Sequence, residues 1–182
     1  PASRSADTKR YQTVYAENVG SVAAPTAGLH FTDRLLAKLR QSGIEIGQVC
    51  LHVGAGTFLP VKSDALHEHE MHSEKFSIPD TTIAALQDAK KSGRPVVAVG
   101  TTTMRTLESL FKIHPEFLEA DPKTFAGRWF STNLFIYPKT KTDRYRSAIF
   151  DGIVTNFHQP ESTLLMLIAA LIGLDQVQSA YL

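Results

Sequence analysis

The stretch Pro95-Val96-Val97-Ala98-Val99-Gly100-Thr101-Thr102-Thr103-Met104-Arg105-Thr106-Leu107-Glu108-Ser109 decides the fold. Residues 95–99 form a continuous apolar run, the pattern of a strand buried on both faces. Gly100 and two threonines then turn the chain straight into a helix predicted over about 103–111. The same alternation recurs outward from this junction. Thr32 predicts an N-cap, followed by Leu35, Leu36 and Leu39 at helical spacing and a stop at Gly43. Residues 44–53 alternate in part, as a strand running into Gly54-Ala55-Gly56, and 75–78 form a short strand. Asp80 caps a helix carrying Ile83, Leu86 and Ala89, closed by Gly93. Further strands are predicted at 134–137 and 148–155, and Ser162 caps an apolar helix reaching Ile172. Between these lie an excursion at 112–131 and a basic loop at 139–146. Strands alternating with helices favour an α/β fold, a layered mixed sheet with helices on both faces. Its central strands are expected at 95–99 and 149–154.

Composition narrows the class. The chain has 182 residues, 43% hydrophobic and 20% charged, the balance of a globular protein. That length suits one domain with a sizeable core, expected over 11–182 behind a polar, mobile segment at 1–10. A net charge of +1 gives no global attraction for a polyanion, so any nucleic-acid contact has to come from a local patch. The longest apolar stretch, 164–172, is far too short for a membrane-spanning helix. A single cysteine, Cys50, rules out an internal disulfide, and a cytoplasmic location is the default expectation. The opening without Met and the close inside a helical pattern suggest a fragment.

Four clusters carry candidate chemistry because polar residues crowd the ends of apolar elements, where α/β proteins bind ligands. The first is Ala24-Pro25-Thr26-Ala27-Gly28-Leu29-His30-Phe31-Thr32, a turn leading to a helix start, or simply a capped helix with a packed histidine. The second, His52-Val53-Gly54-Ala55-Gly56-Thr57-Phe58, allows close backbone approach but lacks the third glycine of a dinucleotide turn. The third packs three histidines and three glutamates into 67–74. It has no His-Glu-x-x-His, so a rim of proton-transfer groups is favoured over metal. The fourth pairs 99–109 with Thr155-Asn156-Phe157-His158-Gln159-Pro160-Glu161-Ser162-Thr163, two hydroxyl-rich junctions. Neither is a P-loop or a nucleophile elbow.

Taken in order, seven pieces of this chain resemble the S-adenosylmethionine:tRNA ribosyltransferase-isomerase family. They are 11–16, 21–32, 51–61 with Gly-Thr-Phe, 69–74, 99–109, Phe135-Ile136-Tyr137-Pro138, and 155–167 with Asn-Phe-His and Ser-Thr-Leu-Leu-Met-Leu. The family's N-terminal part with its β-barrel domain, and its aromatic C-terminal segment, have no counterpart here. The segments 112–131 and 139–146 diverge from it.

The resemblance implies transfer and isomerisation of the ribosyl part of S-adenosylmethionine onto 7-aminomethyl-7-deazaguanine at the wobble position of tRNA. Epoxyqueuosine forms, and adenine and methionine leave. S-adenosylmethionine is a consumed substrate, with no further cofactor and no metal. His30, His52, His72 and His158 would supply the proton transfers. Thr26, Thr57, Phe58, Thr101, Thr102, Arg105, Asn156, Ser162 and Thr163 would bind substrate. Arg105 sits near a helix start, where a cation has no helix-dipole reason to be, with only Glu108 nearby in its motif to neutralise it. It is expected to face the cavity and bind the methionine carboxylate or a tRNA phosphate. His30, His52, His72, Thr101, Arg105, Asn156 and His158 are expected to line one cavity. The alternatives are a noncatalytic tRNA- or nucleotide-binding remnant of that enzyme, and a histidine-rich metal hydrolase.

Overall fold

A computed structural model describes residues 11–17, 21, 23–54, 71–140 and 142–182. The expected mobile segment 1–10, Thr57 and Phe58, and the histidine cluster as far as Glu70 lie outside the described residues. The described chain folds as an α/β protein with five α-helices and five short strands. Helix α1 spans Asp33–Gln41, α2 Asp80–Ser92, α3 Thr101–Ile113, α4 Thr163–Ile172 and α5 Leu174–Ala180. The strands are β1 Cys50–His52, β2 Glu74–Ser77, β3 Val97–Val99, β4 Phe130–Thr132 and β5 Gly152–Val154.

Pairing is mixed, as expected, but divided between two small sheets. β2 is central in one, antiparallel to β1 and to β4, with Phe76 opposite Leu51 and Phe130. β3 and β5 run parallel, with Val97 opposite Gly152 and Val99 opposite Val154. The expectation that 95–99 and 149–154 would form central strands is corrected here. Among the described residues this sheet has two strands, so each keeps an open edge. Val97 is 56% exposed and Val154 42%, whereas Ala98 between its neighbours is buried. The predicted strand at 134–137 forms no ladder, and its pairing role falls to β4, at the end of the predicted excursion.

Helix ends follow the local chemistry. Thr32 accepts a hydrogen bond from Leu35 N–H, and Ser162 accepts one from Leu165 N–H, each satisfying a donor that the first turn leaves free. Gly93 closes α2 in the left-handed region. Gly100, at φ +91, makes the turn from β3 into α3, a conformation that L side chains rarely adopt.

α3 packs on both sides. Leu107 and Leu110 join Phe76, Ile78, Ile83, Leu86, Phe117, Phe125 and Ile149 in one core. Met104 joins Ala98, Ile136, Phe150, Leu167 and Ala170 in a second. Phe117 and Phe125 come from the excursion, where two 3₁₀ turns, Pro115–Leu118 and Pro122–Thr124, fold inward. Burying a phenylalanine contributes ~1.5–3 kcal/mol, which explains why so irregular a segment stays ordered.

A polar clamp fixes the same helix. Arg105 Nη1 donates to Glu74 Oε2 at 2.6 Å, with the two side chains only 2% and 0% exposed. Arg105 Nε donates to Leu134 O at 3.2 Å, and Glu74 Oε1 accepts from Gly54 N–H at 3.3 Å. One ion pair thus joins β2, α3, the turn after β1 and the chain beyond β4. Glu74→Gln would strand a buried guanidinium, a change worth ~3–5 kcal/mol. Chemical denaturation should show that loss, and Glu74→Met with Arg105→Met should recover most of it. A single variant within about 1 kcal/mol of the parent, against that ~3–5 kcal/mol, would remove the pair from its structural role.

Candidate active site

The parallel pair ends where α3 begins. Gly100 N–H donates to Val154 O at 2.8 Å and holds the two strand ends side by side. Beyond them opens a cavity of about 270 Å³, outside the carboxyl ends of the strands, where α/β proteins place ligands. Its wall combines the first and fourth sequence clusters: Thr26, Gly100, Thr101, Thr102, Phe157 and His158 all line it. The turn at Thr101 and the turn at His158 therefore lie at the same end of the sheet. Three elements contribute their N-terminal ends to this wall. They are the 3₁₀ turn Thr26–His30, α3, whose N-cap glycine supplies no capping side chain, and α4, through Ser162 and Leu164.

Two histidines lie at or beside this mouth. His30 Nε2–H donates to Asn156 Oδ1 at 2.8 Å, a bond spanning 126 positions of sequence that fixes the tautomer of this imidazole. His158 Nε2 lies 3.0 Å from Thr155 Oγ1, and His158 N–H donates to the Tyr181 hydroxyl at 2.6 Å. Burial holds the His158 imidazole below its ordinary pKa, because desolvation penalises the imidazolium.

The expected single cavity gathers only part of its list. Of the expected residues Thr101 and His158 line it, joined by Thr26, Thr102 and Ser162 from the wider substrate set, and His30 and Asn156 bond to each other beside it. The Ser162 hydroxyl is already engaged, accepting from Leu165 N–H and donating to Gln159 O, and Thr163 is buried in the first turn of α4. His52 is on β1 of the other sheet, stacked on Trp129 with centroids 4.8 Å apart. His72 is exposed just ahead of β2. Neither lines the cavity.

Arg105 is the clear correction. It is buried against Glu74, and Glu108 points to another partner set. Within the motif only Glu108 offers a carboxylate, whereas Glu74 lies 31 positions away and arrives on β2. A structural role thus replaces the expected anion-binding one. Its Nη2 is nonetheless buried with no hydrogen-bond partner among the described residues.

Two residues escaped the sequence reading. Phe157 is 75% exposed at the cavity rim, with its ring edge-on to Tyr181 at 4.9 Å. The signal was an aromatic residue between two polar ones in Asn156-Phe157-His158. Tyr181 had no signal, since it reaches the site from a separate helix.

Comparison with known proteins adds an independent line. The family model described as queuosine biosynthesis protein matches residues 1–182. An S-adenosylmethionine:tRNA ribosyltransferase-isomerase of Treponema denticola is 50% identical over 177 residues, 96% of this chain and 47% of that protein. The protein of the same name from Thermotoga maritima is 49% identical over 173 residues, 95% of this chain and 48% of that one. The crystal structure of S-adenosylmethionine tRNA ribosyltransferase from Thermotoga maritima superposes with a TM-score of 0.61 at 38% identity. It covers 85% of this chain and 44% of that one. The chain spans about half the length of the curated relatives it matches. Among the described residues no single helix is long and apolar enough to cross a membrane.

The depressed His158 pKa has a defined sign. The unfolded chain binds this proton more readily than the folded one, so stability falls as pH drops below the ordinary value of 6.5. The loss levels off once pH is below the folded pKa. His158→Asn should flatten this part of the stability profile, and an NMR titration should place the imidazole below 6.5 in the folded parent. A folded-state value at or above 6.5 would contradict the assignment.

Proposed function

Because the chain belongs to the family of queuosine biosynthesis proteins, we propose that it is the cavity-bearing part of a tRNA ribosyltransferase-isomerase. In this reading the ribosyl group of S-adenosylmethionine passes to the aminomethyl group of 7-aminomethyl-7-deazaguanine at the tRNA wobble position. Epoxyqueuosine forms as adenine and methionine depart. The observation carrying the proposal is the convergence of Thr101, Thr102 and His158 on one cavity at the ends of two parallel strands.

Each wall residue has work in this reaction. The first turn of α3 leaves N–H groups without a side-chain cap, and these suit the methionine carboxylate. The hydroxyls of Thr101 and Thr102 suit the ribose. A proton beside a sulfonium is acidic, and its removal needs a base that is unprotonated near neutral pH. His158, held neutral by burial, meets that need. The His30–Asn156 bond orients a second imidazole toward the departing adenine or the acceptor amine. Phe157 presents an open aromatic face, on which a base stacks with ~1–3 kcal/mol. At about 270 Å³ the cavity is below the ~300–1,000 Å³ usual for a whole ligand of this size. It therefore receives one part of S-adenosylmethionine, with the rest extending past the rim. Thr57 and Phe58 belong to the same substrate set through the family motif.

The second reading is a noncatalytic nucleotide- or tRNA-binding remnant. Incubation of the chain with S-adenosylmethionine and tRNA carrying the acceptor base separates the two. The transferase gives a tRNA of increased mass and free adenine in equal amount, whereas a remnant binds without product. In a chain or full-length relative that turns over, His158→Asn should lower kcat by ~10²–10⁴ with little change in S-adenosylmethionine affinity. An unchanged kcat would remove His158 as the base.

A further inference from the structure

A second cavity, of about 260 Å³, lies away from the first and has a different chemistry. Lys112, Lys139, Arg144 and Arg146 line it together with Phe135, Tyr137 and Tyr145, against a single carboxylate, Asp143. In a chain of net charge +1, four cations around one opening are a local concentration that composition does not show. From the sequence, 139–146 is a basic loop, and it contributes no residue to the first cavity.

The loop is held in place. Buried Glu108 accepts hydrogen bonds from the Tyr145 hydroxyl at 2.6 Å and from the Ser147 hydroxyl. Tyr145 N–H donates to Ala170 O at 2.7 Å. Burial and the Glu108 carboxylate push the Tyr145 phenol well above its ordinary pKa, so it stays protonated and keeps donating. The Phe135 and Tyr137 rings are 4.6 Å apart, and Lys112 Nζ stands 5.8 Å from the Tyr145 ring centroid.

Some of these cations have a structural explanation. Arg144 packs into the space that Gly173 leaves at the end of α4, where a Cβ would overlap its guanidinium. Lys112 is in the last turn of α3. A cation at a helix C-terminus is favourable on dipole grounds alone. Lys139 and Arg146 have neither reason. Both are exposed, and neither forms an ion pair among the described residues.

The placement fits an extended polyanion. α3 and α4 both start at the first cavity and end at this groove. The eleven positions from Thr101 to Lys112 span ~16 Å at 1.5 Å per residue. At ~3.4 Å per nucleotide along one strand, that corresponds to roughly five nucleotides. A continuous polyanion with one nucleotide at the first cavity can therefore lay its backbone in the groove, while its bases meet the aromatic rings.

We propose that Lys139 and Arg146 form a docking groove for the tRNA backbone a few nucleotides from the modified base. This rests on the functional reading above for the identity of the nucleic acid. Neutralising two phosphate contacts lowers the slope of log affinity against log salt by about 1.4–1.8.

The test is binding of a labelled anticodon stem-loop hairpin to the full chain across a salt series. Lys139→Gln with Arg146→Gln should weaken binding on the order of tenfold and lower the slope by that amount. The charge-keeping pair Lys139→Arg with Arg146→Lys should retain binding, and so should Lys38→Gln with Lys123→Gln, which removes the same charge elsewhere. Circular dichroism melting should match the parent for every variant. Hairpin binding that is absent in the parent, unchanged in the groove variant, or displaced equally well by polyglutamate overturns the proposal. Failure of the functional reading looks different: no S-adenosylmethionine-dependent product, while hairpin binding still depends on Lys139 and Arg146.

Discussion

The buried ion pair between Glu74 and Arg105 is the constraint on which the remaining arrangement depends. A charge with almost no water contact is tolerable only if its partners are placed well, and a guanidinium has a rigid fork to satisfy. Glu74 occupies the start of β2, Leu134 O lies past β4, and Arg105 projects from the second turn of α3. Meeting all three fixes the distance and rotation of α3 relative to the antiparallel sheet. The apolar packing of Leu107 and Leu110 supplies most of the favourable energy there. Apolar contact, however, is tolerant of sliding, and the ion pair is not.

With α3 fixed, the site follows from the way the chain enters it. Gly100 takes a conformation open mainly to glycine, which lets β3 turn into the helix without a spacer. The same residue donates its N–H to the end of β5, so Thr101 and Thr155 become neighbours although 54 positions of sequence separate them. α4 then packs Leu167 and Ala170 against Met104 and Ala98 and brings Ser162 to the same mouth. One pair of helices thus has its N-termini at a cavity suited to anionic and polar groups. Its C-terminal ends lie at a groove lined by cations. The two ends differ in charge preference for the reason any helix does, and the side chains reinforce that difference.

Much of this was legible from residue order. The helices at 33–41 and 163–172 follow from caps and apolar spacing, because those signals are local, whereas 80–92 follows from spacing and its closing glycine, its N-cap being Pro79 and not the expected Asp80. That the Gly100 and Thr155 turns share one cavity was legible for a similar reason, since polar residues crowd the ends of both strands. Sheet extent was not legible. The continuous apolar run at 95–99 predicts double coverage and 149–154 reads as a second central strand, yet coverage depends on how many strands join, which periodicity does not encode. Arg105 shows the same limit more sharply. Its motif contains Glu108, and local reasoning considers only that carboxylate, but a β-strand delivered Glu74 from a distant segment. His52 and His72 lie outside the cavity for a different reason, because residue type alone does not place a histidine. Here one stacks on Trp129 and the other faces solvent.

If the two strand ends form a single binding site, addition of S-adenosylmethionine to the isotopically labelled chain should perturb one contiguous set of backbone amides. The signals of Gly100, Thr101 and Thr102 should move together with those of Thr155, Phe157 and His158, saturating at one common dissociation constant. His52, Trp129 and His72 should stay in place. Perturbations centred on His52 and Trp129, or two groups of amides saturating at different concentrations, would contradict a shared site.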